Sequence, residues 1–149
     1  MDFETLTLQR KVACPPDRLF HLLTDRAARE TWGAPNDDVT VIIDIFDMRP
    51  GGREVSRCGP KEAPHFAVTT DFHVVDAPGR LICTETLDMG DGPVSVSLIT
   101  QQVSATAEGC LLSVTLQIAS LSGPALFDDY KIGWNGGLDN LVHLAEAHG

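Results

Sequence analysis

GPALFDDYKIGWNGGLDNLVHLAEAH, residues 123–148, is the stretch that decides the fold. Phe127, Tyr130, Trp134, Leu138, Leu141 and Ala145 recur at steps of three and four, so on an α-helix they form one apolar stripe. Gly133, Gly136 and Gly137 fall in the middle of it. Each costs a helix interior about 1 kcal/mol relative to alanine. A helix that keeps all three is expected either to bend between Gly133 and Gly137 or to admit a neighbouring strand or a second subunit there. Ser122 or Gly123 is a candidate N-cap, Pro124 fits the first turn, and Asp128 and Asp129 lie near the positive end of the dipole. At 1.5 Å per residue the helix would reach roughly 36 Å.

Upstream of it the pattern is mostly strands. From Phe3 to Val12, Leu6, Leu8 and Val12 share one parity and Thr5, Thr7, Gln9 and Lys11 the other. Pro15 to Thr24 reads as a short helix with Leu19, Phe20, Leu22 and Leu23 inward, and Asp25 can cap a second one ending at Trp32. Strand-like runs follow at 39–46, 52–58, 65–75, 80–87, 94–104 and 110–119, separated by short Gly- and Pro-bearing turns. Such short links join antiparallel neighbours, because a parallel pair needs a crossover of a dozen or more residues. The fold class is α+β: a curved antiparallel sheet of six to seven strands wrapped around a long C-terminal helix, in a single domain spanning 1–149.

Composition narrows the partners. A net charge of −10 and a pI near 4.7 exclude the phosphate-neutralising surface of a nucleic-acid binder and disfavour anionic membranes. Cys14, Cys58, Cys83 and Cys110 show neither CxxC nor zinc spacing and read as small buried thiols. No metal site and no cofactor is expected. The N-terminus lacks the basic and apolar runs of a signal peptide, and the expected location is the cytoplasm.

The run from Cys14 to Trp32, the motif Asp47-Met48-Arg49-Pro50-Gly51-Gly52, the segment Ala77-Pro78-Gly79-Arg80-Leu81, and Gly133-Trp134 followed by Leu138 and Leu141 occur in this order. Together they resemble the START-like helix-grip (SRPBCC) superfamily, in its branch of homologues of the activator of the heat-shock protein 90 ATPase. The resemblance implies a deep cavity between sheet and C-terminal helix, used by many members for apolar or aromatic ligands. It does not imply one activity, because members include lipid carriers, polyketide cyclases and chaperone co-factors. The eukaryotic-type activators carry an additional chaperone-engaging domain, whereas these 149 residues are expected to hold the helix-grip domain alone. Helix-grip relatives often pair, so a homodimer is expected.

Three readings of function follow. The first is binding of a small apolar or aromatic molecule, with Trp32, Arg49, Phe66, Phe72, Phe127, Tyr130, Trp134 and Leu138 as the ligand-binding set. Arg49 enters because Arg49, Arg53 and Arg57 surround the motif turn, where a guanidinium can clamp a carboxylate or phosphate; the alternative is three surface arginines in an acidic protein. The second is a cyclase- or dehydratase-like enzyme without metal. Its candidates are Glu85, in an otherwise apolar strand, or Asp71 with His73, whose shared parity with His65 places them on the face opposite Phe66, Val68, Phe72 and Val74. The third is a stress-response interaction with a chaperone partner, suggested by the resemblance alone. A polar set on the last two strands, Ser95, Ser97, Gln101, Ser113, Thr115 and Gln117, is expected on the outer face. GxSxG, Walker A, GxGxxG and HExxH motifs are all absent from the chain.

Overall fold

The computed structural model describes residues 1–147, so His148, the expected end of the long helix, lies outside the described residues. Strand β1 (Asp2–Val12) leads into two short helices, α1 (Pro16–Thr24) and α2 (Arg26–Trp32). Six strands follow: β2 (Val39–Phe46), β3 (Arg53–Pro60), β4 (Phe66–Asp76), β5 (Arg80–Asp88), β6 (Pro93–Thr106) and β7 (Gly109–Ser120). Helix α3 (Leu126–Glu146) closes the chain. The strands form one curved, fully antiparallel sheet in the order β1-β7-β6-β5-β4-β3-β2. Strands β1 and β2 are thus adjacent in sequence but lie at opposite edges, and α1 and α2 carry the chain from one edge to the other.

Local chemistry accounts for the two small helices. Pro16 occupies the first turn of α1, and Leu19, Phe20, Leu22 and Leu23 are all buried. The Asp25 carboxylate accepts a hydrogen bond from the Ala28 N–H at 3.0 Å and so caps α2. Trp32 ends α2 with its indole N–H donating to the Leu22 carbonyl at 2.8 Å, which fastens the two helices together.

Helix α3 runs unbroken through its three glycines. At 21 residues it is about 31 Å long. Its cap differs from expectation. Ala125 is the N-cap with no side-chain bond, because Gly123, at φ +91°, is still turning the chain out of β7. Gly136 and Gly137 face the turn that ends α2 and not a strand. A Cβ on Gly136 would stand 2.7 Å from Pro35 Cβ and 3.0 Å from the Pro35 carbonyl oxygen. One on Gly137 would stand 3.3 Å from the Trp32 carbonyl oxygen. The turn that ends α2 therefore lies directly on the helix backbone, and the Asn140 amide donates to the Ala34 carbonyl at 2.6 Å across the same contact. Around Gly133 nothing stands within 4 Å of such a Cβ.

The helices cover the concave face unevenly. Helix α3 packs on β1 and β7, α1 on β6, and α2 on β2. Phe127, Leu138, Leu141 and Ala145 of α3 join Leu112, Val114 and Leu116 of β7 in the buried core. Over the middle strands, β3 to β5, the helices stand off.

Two substitutions in α3 should move stability in opposite directions. Gly133→Ala gains helix propensity in free space and should raise stability by about 0.5–1 kcal/mol. Gly136→Ala drives a methyl group into Pro35 and should lower it by about 1–3 kcal/mol. Urea denaturation midpoints of the two variants check the sign.

Candidate functional site

The space left under α3 is a cavity of about 910 Å³, walled by α2, α3 and the inward faces of β2 to β6. That volume is at the upper end of ordinary small-molecule sites. It opens among the exposed residues Lys61, Glu62, Met89 and Asp129 and ends against the buried Trp32, Cys83, Ile99 and Gln101. On α3 the face turned to it carries Leu126, Tyr130, Gly133, Trp134 and Gly137. This face is rotated from the core-packing stripe, and Gly133 leaves space on it that a side chain would fill.

A polar row crosses the floor of the cavity. Glu54 lies opposite Thr70, Thr70 opposite Glu85, and Glu85 opposite Ser97, so directly paired positions on β3, β4, β5 and β6 present these four side chains on one face. Two of the four are fixed by partners. Arg29 of α2 reaches down to Glu54 with both Nε (2.6 Å) and Nη2 (3.1 Å), while Nη1 donates to the Leu23 carbonyl at 2.8 Å. Its guanidinium also lies 5.7 Å from the Phe72 ring centre and 6.0 Å from that of Trp32. Burial pulls the Arg29 pKa down, but the carboxylate of Glu54 outweighs it and the net shift is upward. The Tyr130 hydroxyl is 2.7 Å from Ser95 Oγ and accepts from Ser97 Oγ at 3.2 Å; burial pushes its pKa up to about 12.

Glu85 is different. It has no hydrogen bond or ion pair with any described residue, although it borders the cavity. Burial, reinforced by the nearby charge of Glu54 and only partly offset by Arg29, raises its pKa from 4.5 to about 7. Deeper in, Gln101 is 2% exposed, and its side-chain carbonyl oxygen finds no donor among the described residues.

Of the residues selected from the sequence, Trp32, Phe66, Tyr130, Trp134 and Glu85 border the cavity. Phe72, Phe127 and Leu138 do not, because their side chains are used in core packing. Arg49 is exposed and pairs with Asp47 at 2.8 Å outside the cavity, just as Arg53 pairs with Asp71 and Arg57 with Asp44. The three arginines are surface partners of acidic residues. Asp71 and His73 lie on the outer face, where Asp71 meets Arg53 and the His73 ring meets Thr84 Oγ1 at 2.9 Å. Neither reaches the cavity. A bulge between Phe72 and Val74 shifts the parity beyond His73.

Ser95, Ser97 and Gln101 correct an expectation, since they face inward and are buried while Val96 and Leu98 are exposed. Ser113, Thr115 and Gln117 on β7 do face outward. Sequence reading also passed over Arg29 and Glu54. A signal for Glu54 was present: Arg53, Val55 and Arg57 share the outward parity, which turns Glu54, Ser56 and Cys58 inward.

All four cysteines are free. Cys58 and Cys83 border the cavity, and burial pushes their thiols up to about 11 and about 12, which leaves them protonated and poorly nucleophilic at neutral pH. Among the described residues no group of three or more His, Cys, Asp or Glu side chains could hold a metal ion. No helix among them is long and apolar enough to cross a membrane.

Two stability measurements follow from this geometry. Because the folded pKa of Glu85 is raised, the native state binds the extra proton, and the associated stability is present below pH 4.5 and lost as pH rises through about 7. Glu85→Gln should therefore gain roughly 2–3 kcal/mol over wild type on going from pH 5 to pH 8, read as a widening gap in melting temperature. Arg29→Met leaves Glu54 buried and unpaired, and should cost about 3–5 kcal/mol, much of it recovered in the Arg29→Met/Glu54→Leu double variant. Denaturation of both variants at one pH tests it.

A protein from Rhizobium leguminosarum is similar at 25% identity, with 98% of this chain and 96% of that chain aligned and a TM-score of 0.85. One from Rhizobium loti shows 28% identity over 95% of this chain and 96% of that one, with a TM-score of 0.82. The AHSA1-like protein from Aeromonas hydrophila shares the fold at 23% identity, over 98% and 94% of the two chains, with a TM-score of 0.75. No curated protein matches the sequence. Residues 13–146 match the family described as Activator of Hsp90 ATPase homolog 1-like protein. With the helix-grip fold around its cavity and this match over most of its length, the chain belongs to the Activator of Hsp90 ATPase homolog 1-like family of the START-like superfamily.

Proposed function

We propose that the protein binds a small, largely apolar or aromatic molecule in the cavity beneath α3. The observation that carries this reading is the cavity itself. Its volume of about 910 Å³ is walled mostly by apolar surface, with Trp32, Phe66, Tyr130 and Trp134 in it, while the charged groups gather at the mouth and along one row of the floor, the composition of a site that buries an apolar body and orients it by a few polar contacts. A solid core would have filled the space, and Gly133 of α3 leaves it open on the helix side.

Both tryptophans of the chain border the cavity, so intrinsic emission reports on occupancy. The neutral dye Nile red should quench that emission and raise the melting temperature. Gly133→Leu, whose side chain would extend into free space, should weaken dye binding at least tenfold while the native fold persists. A library of apolar and aromatic compounds that changes neither emission nor melting temperature would count against binding.

A second reading, proton transfer of the cyclase or dehydratase type, is supported by Glu85, whose pKa of about 7 suits general acid–base work in an apolar enclosure. Under this reading Glu85→Gln retains ligand affinity and abolishes turnover.

A further inference from the structure

The cavity is chemically one-sided. Of its ionisable lining, Arg29 is already committed to Glu54 and the Leu23 carbonyl, which leaves no free cation inside among the described residues. At the mouth Lys61 stands among Asp38, Glu62 and Asp129. The lining thus carries two positive and five negative groups. Among the described lining residues, the Glu85 carboxylate has no hydrogen bond or ion pair and the buried Gln101 side-chain carbonyl oxygen has no donor, beside the Ser56 and Thr70 hydroxyls, which can turn to donate or accept. An anion entering here would meet an uncompensated carboxylate in a low-dielectric enclosure, whereas a donor would satisfy groups that the protein leaves open.

Resting on the binding reading above, we propose that the cavity selects an apolar molecule bearing a protonated amine, its ammonium held by the Glu85 carboxylate, and rejects the corresponding carboxylic acid. The groups that face Glu85 agree with this assignment. Glu54 and Cys58 approach from β3, Arg29 from α2, Cys83 from its own strand and Tyr130 from α3. Of these only Arg29 is cationic, and its charge is balanced by Glu54. A bound ammonium supplies the counter-charge that Glu85 lacks and holds it ionised. Aromatic walls at Trp134 and Tyr130 suit the apolar body and tolerate a cation beside their rings.

Three naphthalenes of the same shape test the proposal by calorimetry: 1-naphthylmethylamine, 1-naphthylmethanol and 1-naphthoic acid. The amine should bind at pH 8 at least tenfold tighter than the alcohol, and the acid weakest. Because Glu85 titrates near pH 7, amine affinity should fall about tenfold between pH 8 and pH 6 while that of the alcohol stays constant. Glu85→Gln should lower amine affinity about tenfold and leave the alcohol within twofold. If that variant misfolds, the wild-type pH profile still decides. An acid that binds as tightly as the amine, or an amine affinity flat from pH 6 to pH 8, overturns the amine assignment while leaving cavity binding standing. Failure of all three to bind removes both.

Discussion

The architecture depends on how the concave face of a seven-stranded antiparallel sheet is covered. Such a face cannot stay in water, and one helix is too narrow to cover it. Helix α3 covers the β1–β7 side, and α1 and α2 cross the face because β1 and β2 lie at opposite edges. The strip over β3 to β5 is bridged instead of filled. Close contact between the Trp32–Pro35 turn and the backbone of α3 at Gly136 and Gly137 fixes how far the helices stand from the sheet there. The cavity is what remains when both elements are seated.

Inside that space the Arg29–Glu54 pair acts as a strut from α2 to the floor. Its bidentate geometry and the third bond to Leu23 satisfy the charges it buries, and the flanking rings of Phe72 and Trp32 shield it. The same pairing leaves Glu85, two strands further along the row, with no cation of its own among the described residues. Two carboxylates and one guanidinium in a largely apolar enclosure make Glu85 the group whose protonation state is most open to a ligand.

How much was legible beforehand varies from element to element. The two short helices could be read because Pro16, the Asp25 cap and the run Leu19–Leu23 state their boundaries locally. Strand β6 misled, since Val96 and Leu98 suggested an inward even parity, and register with β5 and β7 turned the odd set inward. The aromatic stripe of α3 was visible, but not its division, with Phe127 and Leu138 in the core and Tyr130 and Trp134 on the cavity. Periodicity locates a buried face and does not say whether the far side of the contact is packed or open.

By itself, then, the sequence determined the order of elements, the antiparallel sheet implied by short turns, the acidic net charge, and Glu85 as a carboxylate among apolar neighbours. These are local or additive properties of the chain. The tertiary structure alone decided that Arg29 meets Glu54 across 25 residues, that Ser97 and Gln101 face inward, that Arg49 and Asp71 belong to the surface, and that the glycines of α3 serve a close turn and a cavity. Each depends on the curvature of the sheet and the angle at which α2 and α3 cross it, which are set by all the contacts together and by no single segment.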